Sequence, residues 1–237
     1  GTSMKEFSQI NESTVQVRYE FQGEEKQVDT TYLFLALGRE PATNSLNLES
    51  SGVSVLPSGH IQTNHFQQST CPTIYAAGDC AGPYEIVHIA IKQGETAALH
   101  ALGKQVRPIA YDSLLSVVFT DPQLAVVGQS PSQLKANGIN FSSASYPFDD
   151  HGKSILMDAK HGYVAVHAES ETGKVLGAEC VSKDAGELIH SMSVAVGLQA
   201  TVHDLLKADW YHPTLSEIWT YPLEDLGEEI AEATQKK

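Results

Sequence analysis

The chain has 237 residues, of which 41% are hydrophobic and 19% charged, and it carries a formal net charge of −14 at pH 7. That length is sufficient for one large domain, or for two smaller domains, with an apolar core. The negative charge argues against nucleic acid as a partner, because nucleic acid binding requires clustered lysine and arginine. No apolar run approaches the roughly 20 residues of a membrane span and no signal peptide is visible, so we expect no membrane insertion.

Three cysteines lie far apart in the sequence, at Cys71, Cys80 and Cys180. They form neither a C-x-x-C motif nor an even set, which indicates free thiols and predicts a reducing, cytoplasmic location. The ten histidines include no H-E-x-x-H motif and no Cys/His cluster. We therefore predict no metal site and interpret the histidines as scattered surface residues.

The first part of the chain has the pattern of β-strands. Residues 1–4 resemble a vector-derived leader and are left out of the fold prediction. Residues 14–21 alternate polar with apolar side chains, which is typical of a half-buried strand, and residues 26–29 can pair back on it. Residues 32–37 form a continuous apolar run, which predicts a strand buried on both faces. So small a sheet is marginal alone and must pack on other parts of the protein.

A glycine and an acidic residue separate a predicted strand from a predicted helix. The strand covers residues 73–77, Gly78 and Asp79 follow it, and a helix over residues 86–102 ends at Gly103. Glycine allows close backbone approach, and the Asp79 carboxylate can accept a hydrogen bond from a hydroxyl group. Because open α/β sheets bind ligands outside the carboxyl ends of their strands, this arrangement favours a ligand site. The alternative is that Asp79 only caps a turn.

The pattern of predicted elements changes after residue 107, where we place a domain boundary. Short strands are followed by helices with capping residues, which predicts an α+β domain on an antiparallel sheet. The charged end, residues 224–237, is expected to fray. The predicted strands cover residues 114–120, 124–128, 141–146, 163–167 and 174–181, and the predicted helices start at Ser130, Asp184 and Thr201.

Residues 210–219 carry the clearest chemical signal in the chain. Pro213 disfavours an α conformation for His212, which should therefore lie in an extended arm. Thr214 and Glu217 have the spacing of a capping box, which predicts a helix starting at Thr214. Glu217 can accept a hydrogen bond from one imidazole nitrogen, which leaves the other nitrogen to act as an oriented general acid/base. The alternative is an ordinary helix cap beside a loop histidine.

Three motifs that occur in a fixed order point to one family. They are residues 37–43, the Gly-Asp motif at residues 73–79, and the His-Pro-Thr-x-x-Glu motif at residues 212–217. Together they resemble the C-terminal half of the flavin-dependent pyridine nucleotide-disulfide oxidoreductases, which include dihydrolipoamide dehydrogenase, glutathione reductase and mercuric reductase. The resemblance covers nearly the whole chain. Residues 120–128 and 177–181 are similar to the interface domain of that family.

The resemblance implies three parts with different tasks. Residues 5–37 would end an NAD(P)-binding domain, residues 38–107 would form the second segment of an FAD-binding domain, and residues 108–237 would form the dimerisation domain. The family passes electrons between NAD(P)H and a disulfide through FAD, and it builds each active site across a homodimer interface. The favoured substrate is a lipoyl group, as in dihydrolipoamide dehydrogenase. A fragment of a glutathione reductase-like or mercuric reductase-like enzyme is the alternative.

The resemblance also implies roles for particular residues. The histidine of the family motif, here His212, acts as acid/base toward the redox dithiol of the other subunit, and Glu217 orients it. The acid of the Gly-Asp motif, here Asp79, binds the ribityl chain of FAD. The residues expected to bind the cofactor are Gly38, Arg39, Gly78, Asp79, Val87 and His88.

The sequence departs from the complete family pattern in two respects. It contains no G-x-G-x-x-G motif to hold a dinucleotide phosphate and no Cys-x4-Cys redox pair. Cys80, directly after Asp79, has no partner thiol and is expected to be buried and inert. We therefore expect a chain that is inactive alone and holds FAD weakly or not at all. A non-catalytic dimerisation or partner-binding module with the same architecture is the alternative.

Overall fold

A computed structural model describes the backbone of residues 1–235 and the side chains of residues 1–233. Within that range the chain combines helices with two antiparallel sheets, one of three strands and one of five. A segment dominated by turns, followed by one long helix, separates the two sheets in the sequence. The predicted α+β fold class is confirmed.

The three-stranded sheet is formed by the first thirty residues. Strand β1 (Thr2–Asn11) pairs with β2 (Thr14–Phe21), and β2 pairs with β3 (Glu24–Thr30). The strand predicted from the alternation at residues 14–21 is confirmed. Leaving residues 1–4 out of the fold was wrong, because the start of β1 pairs with the end of β2. The backbone of β2 supplies hydrogen-bond partners to these residues, a pairing that their own sequence does not predict.

The apolar run after β3 is not a buried strand. Residues 32–37 form no strand, and Tyr32, Phe34 and Leu37 are 87%, 91% and 77% exposed. A strand buried on both faces needs neighbouring strands to pair with its backbone N–H and C=O groups. Among the described residues no strand pairs with this run, so the prediction is wrong for this chain.

Residues 38–107 consist of tight turns around a small apolar core and one helix. The strand predicted at residues 73–77 is wrong, since only Tyr75 forms an isolated bridge, to Gln68. Among the described residues, this segment pairs with none of the strands of the two sheets, so the bridge does not extend into a ladder. The predicted helix is confirmed as α1 (Val87–Ala101). The core residues are Val53, Ile61, Ala76 and Ala81.

The second sheet has the strand order β4-β5-β8-β7-β6, with every neighbouring pair antiparallel. Side chains alternate between its faces, and on β7 Val164, Val166 and Ala168 are fully buried on the side of the core. All five strands were predicted, with bounds that differ by one or two residues. They are β4 (Leu115–Val118), β5 (Gln123–Gly128), β6 (Phe141–Pro147), β7 (Tyr163–Glu169) and β8 (Val175–Ser182).

Two helices cover the core face of this sheet. Helix α4 (Ala185–Leu198) packs on β5 and β8, and helix α6 (Thr220–Gln235) packs on β6 and β7. Phe148, Met192 and Trp219 are fully buried between them, and each such side chain stabilises the fold by about 1.5–3 kcal/mol. Three short helices complete the domain: α2 (Pro131–Ala136), α3 (Gly152–Leu156) and α5 (Val202–Leu206).

The C-terminal segment is helical rather than frayed. Leu223 and Leu226 of α6 are fully buried in the core, so the prediction of fraying is wrong for residues 224–235. A stripe of apolar residues three and four positions apart docks the helix, while its glutamates face solvent. Residues 236 and 237, which the same prediction included, lie outside the described residues. No helix in the described part of the chain is long and apolar enough to cross a bilayer.

Candidate active site

His212 lies at a bend in the loop between α5 and the helical turn that precedes α6. It is outside any helix, as Pro213 predicts, but the segment is bent rather than a straight extended arm. Its Nδ1 is 2.8 Å from Oε2 of Glu217, which is the contact predicted from the motif. The His212 side chain is 83% exposed, whereas that of Glu217 is 11% exposed. An ionised carboxylate only accepts hydrogen bonds, so Nδ1 of His212 is the donor. The contact therefore leaves Nε2 of His212 as the nitrogen that can exchange protons.

Glu217 is fixed by its own backbone and by the core beneath it. Oγ1 of Thr214 accepts a hydrogen bond from the Glu217 backbone N–H at 3.2 Å, which is one half of the predicted capping box. The other half is absent because the carboxylate binds His212 instead. The helical turn is Ser216–Trp219, so the predicted start at Thr214 is two residues too early. Fully buried Trp219 anchors this turn by donating Nε1–H to a backbone carbonyl of α4 at 3.1 Å.

A second histidine approaches the same carboxylate from the protein interior. Nε2 of His151 is 3.3 Å from Oε1 of Glu217, and Nδ1 of His151 is 2.6 Å from Oγ of Ser154. His151 is 1% exposed and Ser154 is fully buried. Sequence reasoning missed both residues, because His151 precedes Glu217 by 66 positions and stands in no motif. The interpretation of the histidines as surface residues is wrong for His151 and for His167, which is 3% exposed.

One aromatic ring contacts the buried histidine, and a second ring stacks on the first. The ring of Tyr221 meets that of His151 edge-on at 6.1 Å, and Tyr146 stacks on Tyr221 at 3.9 Å. Tyr146 donates its hydroxyl hydrogen to Oδ2 of Asp150 at 3.0 Å. Burial, followed by the effect of Asp150, raises the pKa of Tyr146 to about 12. The Tyr146 hydroxyl is therefore protonated at neutral pH and donates to Asp150.

The Gly-Asp motif lies in a turn that is hydrogen-bonded to the side chain of Gln93. Buried Gly78 has a φ of +77°, a left-handed conformation that favours glycine. Gln93 is fully buried, and it accepts from Gly78 N–H at 2.7 Å and donates to the Gly82 carbonyl at 2.8 Å. Asp79 is exposed, and within the described residues its carboxylate has no hydrogen-bond or ion-pair partner. Asp79 therefore caps no turn and is free to accept from a ligand.

The predicted residues Val87 and His88 form the first turn of α1. Val87 is 77% exposed, and no side chain caps this end of the helix. The first N–H groups of a helix carry a partial positive charge, which here is not neutralised by a cap. Burial lowers the pKa of His88, and the nearby charges of Lys92 and His190 lower it further. The His88 ring is therefore neutral at pH 7.

Gly38 and Arg39 lie in a loop near the segment that leads into α1. Nε of Arg39 is 3.8 Å from Oε2 of Glu85, although the Arg39 side chain is 74% exposed. The cofactor role of both residues stays a prediction. In the described part of the chain, no hydrogen bond or ion pair joins the predicted cofactor residues to His212 or Glu217, so they form two separate groups.

The remaining sequence predictions concern thiols and metals. Cys80 is half-buried rather than buried, and its thiol donates to the Ala77 carbonyl at 3.3 Å. Burial raises the pKa of Cys180 to about 12, so this thiol is protonated at neutral pH. Within the described range, no group of three or more His, Cys, Asp or Glu side chains could hold a metal ion.

Two sequence models of one family match most of the chain. The model described as pyridine nucleotide-disulphide oxidoreductase matches residues 1–94, and the model of its dimerisation domain matches residues 114–222. The chain belongs to the pyridine nucleotide-disulphide oxidoreductases. The dimerisation-domain match contains both His212 and Glu217, and the first match contains the Gly-Asp motif. The family predicted from the three motifs is confirmed.

Curated relatives and solved structures agree with this assignment. The chain is 33% identical over 204 residues to dihydrolipoyl dehydrogenase of Bacillus subtilis, covering 86% of this chain and 43% of that protein. It is 36% identical over 196 residues to dihydrolipoyl dehydrogenase of Thermus scotoductus, covering 82% and 42%. The crystal structure of LpdA from Mycobacterium tuberculosis is similar with a TM-score of 0.85 and 28% identity, over 95% of this chain and 48% of that one. The chain thus spans less than half the length of these relatives.

Proposed function

We propose that this chain forms the C-terminal part of an FAD-dependent NAD(P)H:disulfide oxidoreductase of the dihydrolipoyl dehydrogenase type. In that role residues 38–107 supply part of the FAD site, and residues 108–237 supply the dimer interface and an acid/base pair. The observation that carries the proposal is the 2.8 Å contact between His212 Nδ1 and Glu217 Oε2, beside an imidazole that is 83% exposed. Similarity to dihydrolipoyl dehydrogenases over 82–86% of the chain supports a lipoyl substrate.

The proposed task of His212 is to move a proton between its Nε2 and a thiol. The thiolate is the reacting species in disulfide exchange, so removal of the proton generates the nucleophile and its return protonates the leaving thiolate. Glu217 holds the Nδ1–H and stabilises the imidazolium that forms. Because Glu217 is only 11% exposed, its attraction to that cation is screened less than it would be in water.

The residues of this chain fit part of an FAD site. The unpaired carboxylate of Asp79 can accept from a ribityl hydroxyl, and Gly78 allows the backbone to approach the cofactor closely. The uncapped start of α1 at Val87 and His88 presents N–H groups that favour an electron-rich ring edge. When bound, the flavin supplies the electron transfer between the nicotinamide and the disulfide. For NAD(P) the chain has no glycine-rich phosphate cradle, and residues 5–37 alone do not fit that cofactor.

A partner subunit would complete the proposed site. The chain contains no closely spaced pair of cysteines, so the dithiol that His212 serves would come from the N-terminal half of the partner subunit. The match to a dimerisation domain supports a homodimer through residues 108–237. Exposed apolar side chains in this part of the chain support the same conclusion, because apolar surface of this kind is typical of subunit interfaces. They include Ile155, Leu156, Val194, Leu198 and Tyr211.

The test is to mix this chain with a matching N-terminal half that carries the dinucleotide motifs and the redox cysteines. NADH-dependent reduction of lipoamide should appear only in the mixture. His212→Ala should lower kcat by about 10²–10⁴-fold, the usual contribution of a general acid/base. His203→Ala, at an exposed histidine of α5, is the matched control and should leave the rate unchanged.

Two outcomes would contradict the proposal. Turnover that survives His212→Ala would remove the acid/base role. Flavin binding and dimer formation without turnover would favour a non-catalytic dimerisation or partner-binding module. Reduction of glutathione disulfide instead of lipoamide would show an enzyme of the glutathione reductase type and would leave the acid/base role intact.

A further inference from the structure

We propose that His151, supported by Ser154, is a positioning residue that fixes the carboxylate of Glu217 for His212. The inference rests on the proposed function, since the orientation of Glu217 matters only if His212 exchanges protons. It assigns a role to a buried histidine that stands outside the His-Pro-Thr-x-x-Glu motif. The evidence for this role is the arrangement of four side chains, those of Ser154, His151, Glu217 and His212.

Each oxygen of the Glu217 carboxylate faces one imidazole nitrogen. Oε2 is 2.8 Å from Nδ1 of His212, and Oε1 is 3.3 Å from Nε2 of His151. An ionised carboxylate has no proton to give, so both nitrogens must donate to it. A carboxylate held at one oxygen loses one hydrogen bond when it turns about its last side-chain bond, whereas one held at both oxygens loses two.

The proton arrangement of His151 follows from its second contact. If Nε2 of a neutral His151 carries the hydrogen, Nδ1 is an acceptor, and Ser154 Oγ at 2.6 Å is placed to donate to it. The hydrogen bonds then run from Ser154 to His151 to Glu217, and from His212 to Glu217. This order sets the tautomer of His212, because only the Nδ1–H form donates to Glu217 and presents a bare Nε2 to a thiol.

Packing alone does not require a histidine at position 151. His151 is 1% exposed and meets the edge of Tyr221, an environment that phenylalanine would also fill. Burying an imidazole and a hydroxyl without hydrogen bonds is unfavourable, and here both are hydrogen-bonded to one another and to the site carboxylate. Asp150, the residue before His151, accepts a hydrogen bond from Tyr146.

The test reads ring protonation directly in this chain, by ¹⁵N chemical shifts of the imidazoles after selective histidine labelling. The measurement is made at a pH of about 8.5, where an ordinary imidazole is neutral. In the unmodified protein we expect a protonated Nε2 on His151 and a protonated Nδ1 on His212. A bare Nε2 on His151 would overturn the proposal without any variant, because that nitrogen would have no hydrogen to donate to Glu217.

Two substitutions at the same position separate positioning from packing. His151→Phe keeps a ring of similar size but removes the donor, and His212 should then populate both tautomers. His151→Gln places an amide N–H near the position of Nε2 and should restore the Nδ1–H form of His212. An unchanged His212 tautomer in His151→Phe would overturn the proposal. If that variant does not fold, the nitrogen shifts of the unmodified protein and of His151→Gln still decide it.

The readout does not depend on enzymatic turnover, so the two proposals can fail separately. Inactive mixtures with the expected tautomers would remove the proposed reaction and keep the positioning of Glu217. Active mixtures with a bare Nε2 on His151 would keep the reaction and remove the role of His151.

Discussion

At the scale of single residues, Gln93 determines the shape of the turn that carries Gly78 and Asp79. Its fully buried amide group accepts from Gly78 N–H and donates to the Gly82 carbonyl and to the Tyr111 hydroxyl oxygen at 3.0 Å. Leucine has a similar volume but satisfies none of these groups, and an unpaired buried polar group costs about 1–3 kcal/mol.

We therefore expect Gln93→Leu to lower the free energy of unfolding by about 2–4 kcal/mol, because at least two buried backbone groups lose their partner. Urea denaturation followed by circular dichroism measures this change. Gln62→Leu, at an exposed position, is the control and should change the stability by less than about 0.5 kcal/mol. Equal losses in the two variants would show that Gln93 does not hold the turn.

Residue-level prediction from the sequence succeeded where the partners are neighbours in the chain. His212 and Glu217 are five positions apart, so local backbone preferences were sufficient to predict their contact. His151 reaches the same carboxylate from 66 positions away, a distance that no local pattern encodes. Gln93 was missed for a similar reason, since a glutamine on an otherwise apolar helix face has no visible partner until the turn is folded over it.

At the scale of elements, periodicity identified most strands whose neighbours are present, although it missed β1. All five strands of the second sheet were predicted, because one face of each packs on the core. The strand at residues 14–21 was predicted from the same alternation, and it pairs with a strand on each side. The predicted strand at residues 32–37 was wrong because an apolar sequence indicates burial but does not supply a partner strand. Charge was also misleading in α6, where the glutamates lie on the face opposite Leu223 and Leu226.

The docking of α6 can be tested at Leu226. If the helix is packed as described, Leu226→Ala should lower the free energy of unfolding by about 2–5 kcal/mol, which is typical of a fully buried leucine. Glu224→Ala, two positions earlier on the exposed face, is the matched control. Thermal or urea unfolding gives both values. A loss of less than about 0.5 kcal/mol at Leu226 would support the original expectation of a frayed end.

At the scale of the whole molecule, the chain combines a well-packed core with apolar surfaces that have no partner among the described residues. The core between α4, α6 and the five-stranded sheet is buried. Phe34 and Leu37, by contrast, lie close together in the sequence and are 91% and 77% exposed, which is more than isolated apolar surface residues usually show. Both members of the proposed acid/base pair lie in this chain, whereas the residues predicted to bind the cofactor would form only part of a site. The chain spans less than half the length of its dihydrolipoyl dehydrogenase relatives.

The outer face of α4 provides the last prediction, which concerns association. Val194 and Leu198 are 60% and 77% exposed on one side of this helix, within the dimerisation-domain match. We expect a dimer at micromolar concentration, and we expect the double change Val194→Asp and Leu198→Asp to weaken it by about 100-fold or more, because two unpaired carboxylates would be buried in the interface. Sedimentation equilibrium measures the dimer dissociation constants of the unmodified chain and of the double variant.

Ile10→Asp, at a 54% exposed residue of β1, controls for added charge and should leave the dimer intact. A monomeric unmodified chain would contradict the homodimer, and a double variant that still dimerises would place the interface on another face.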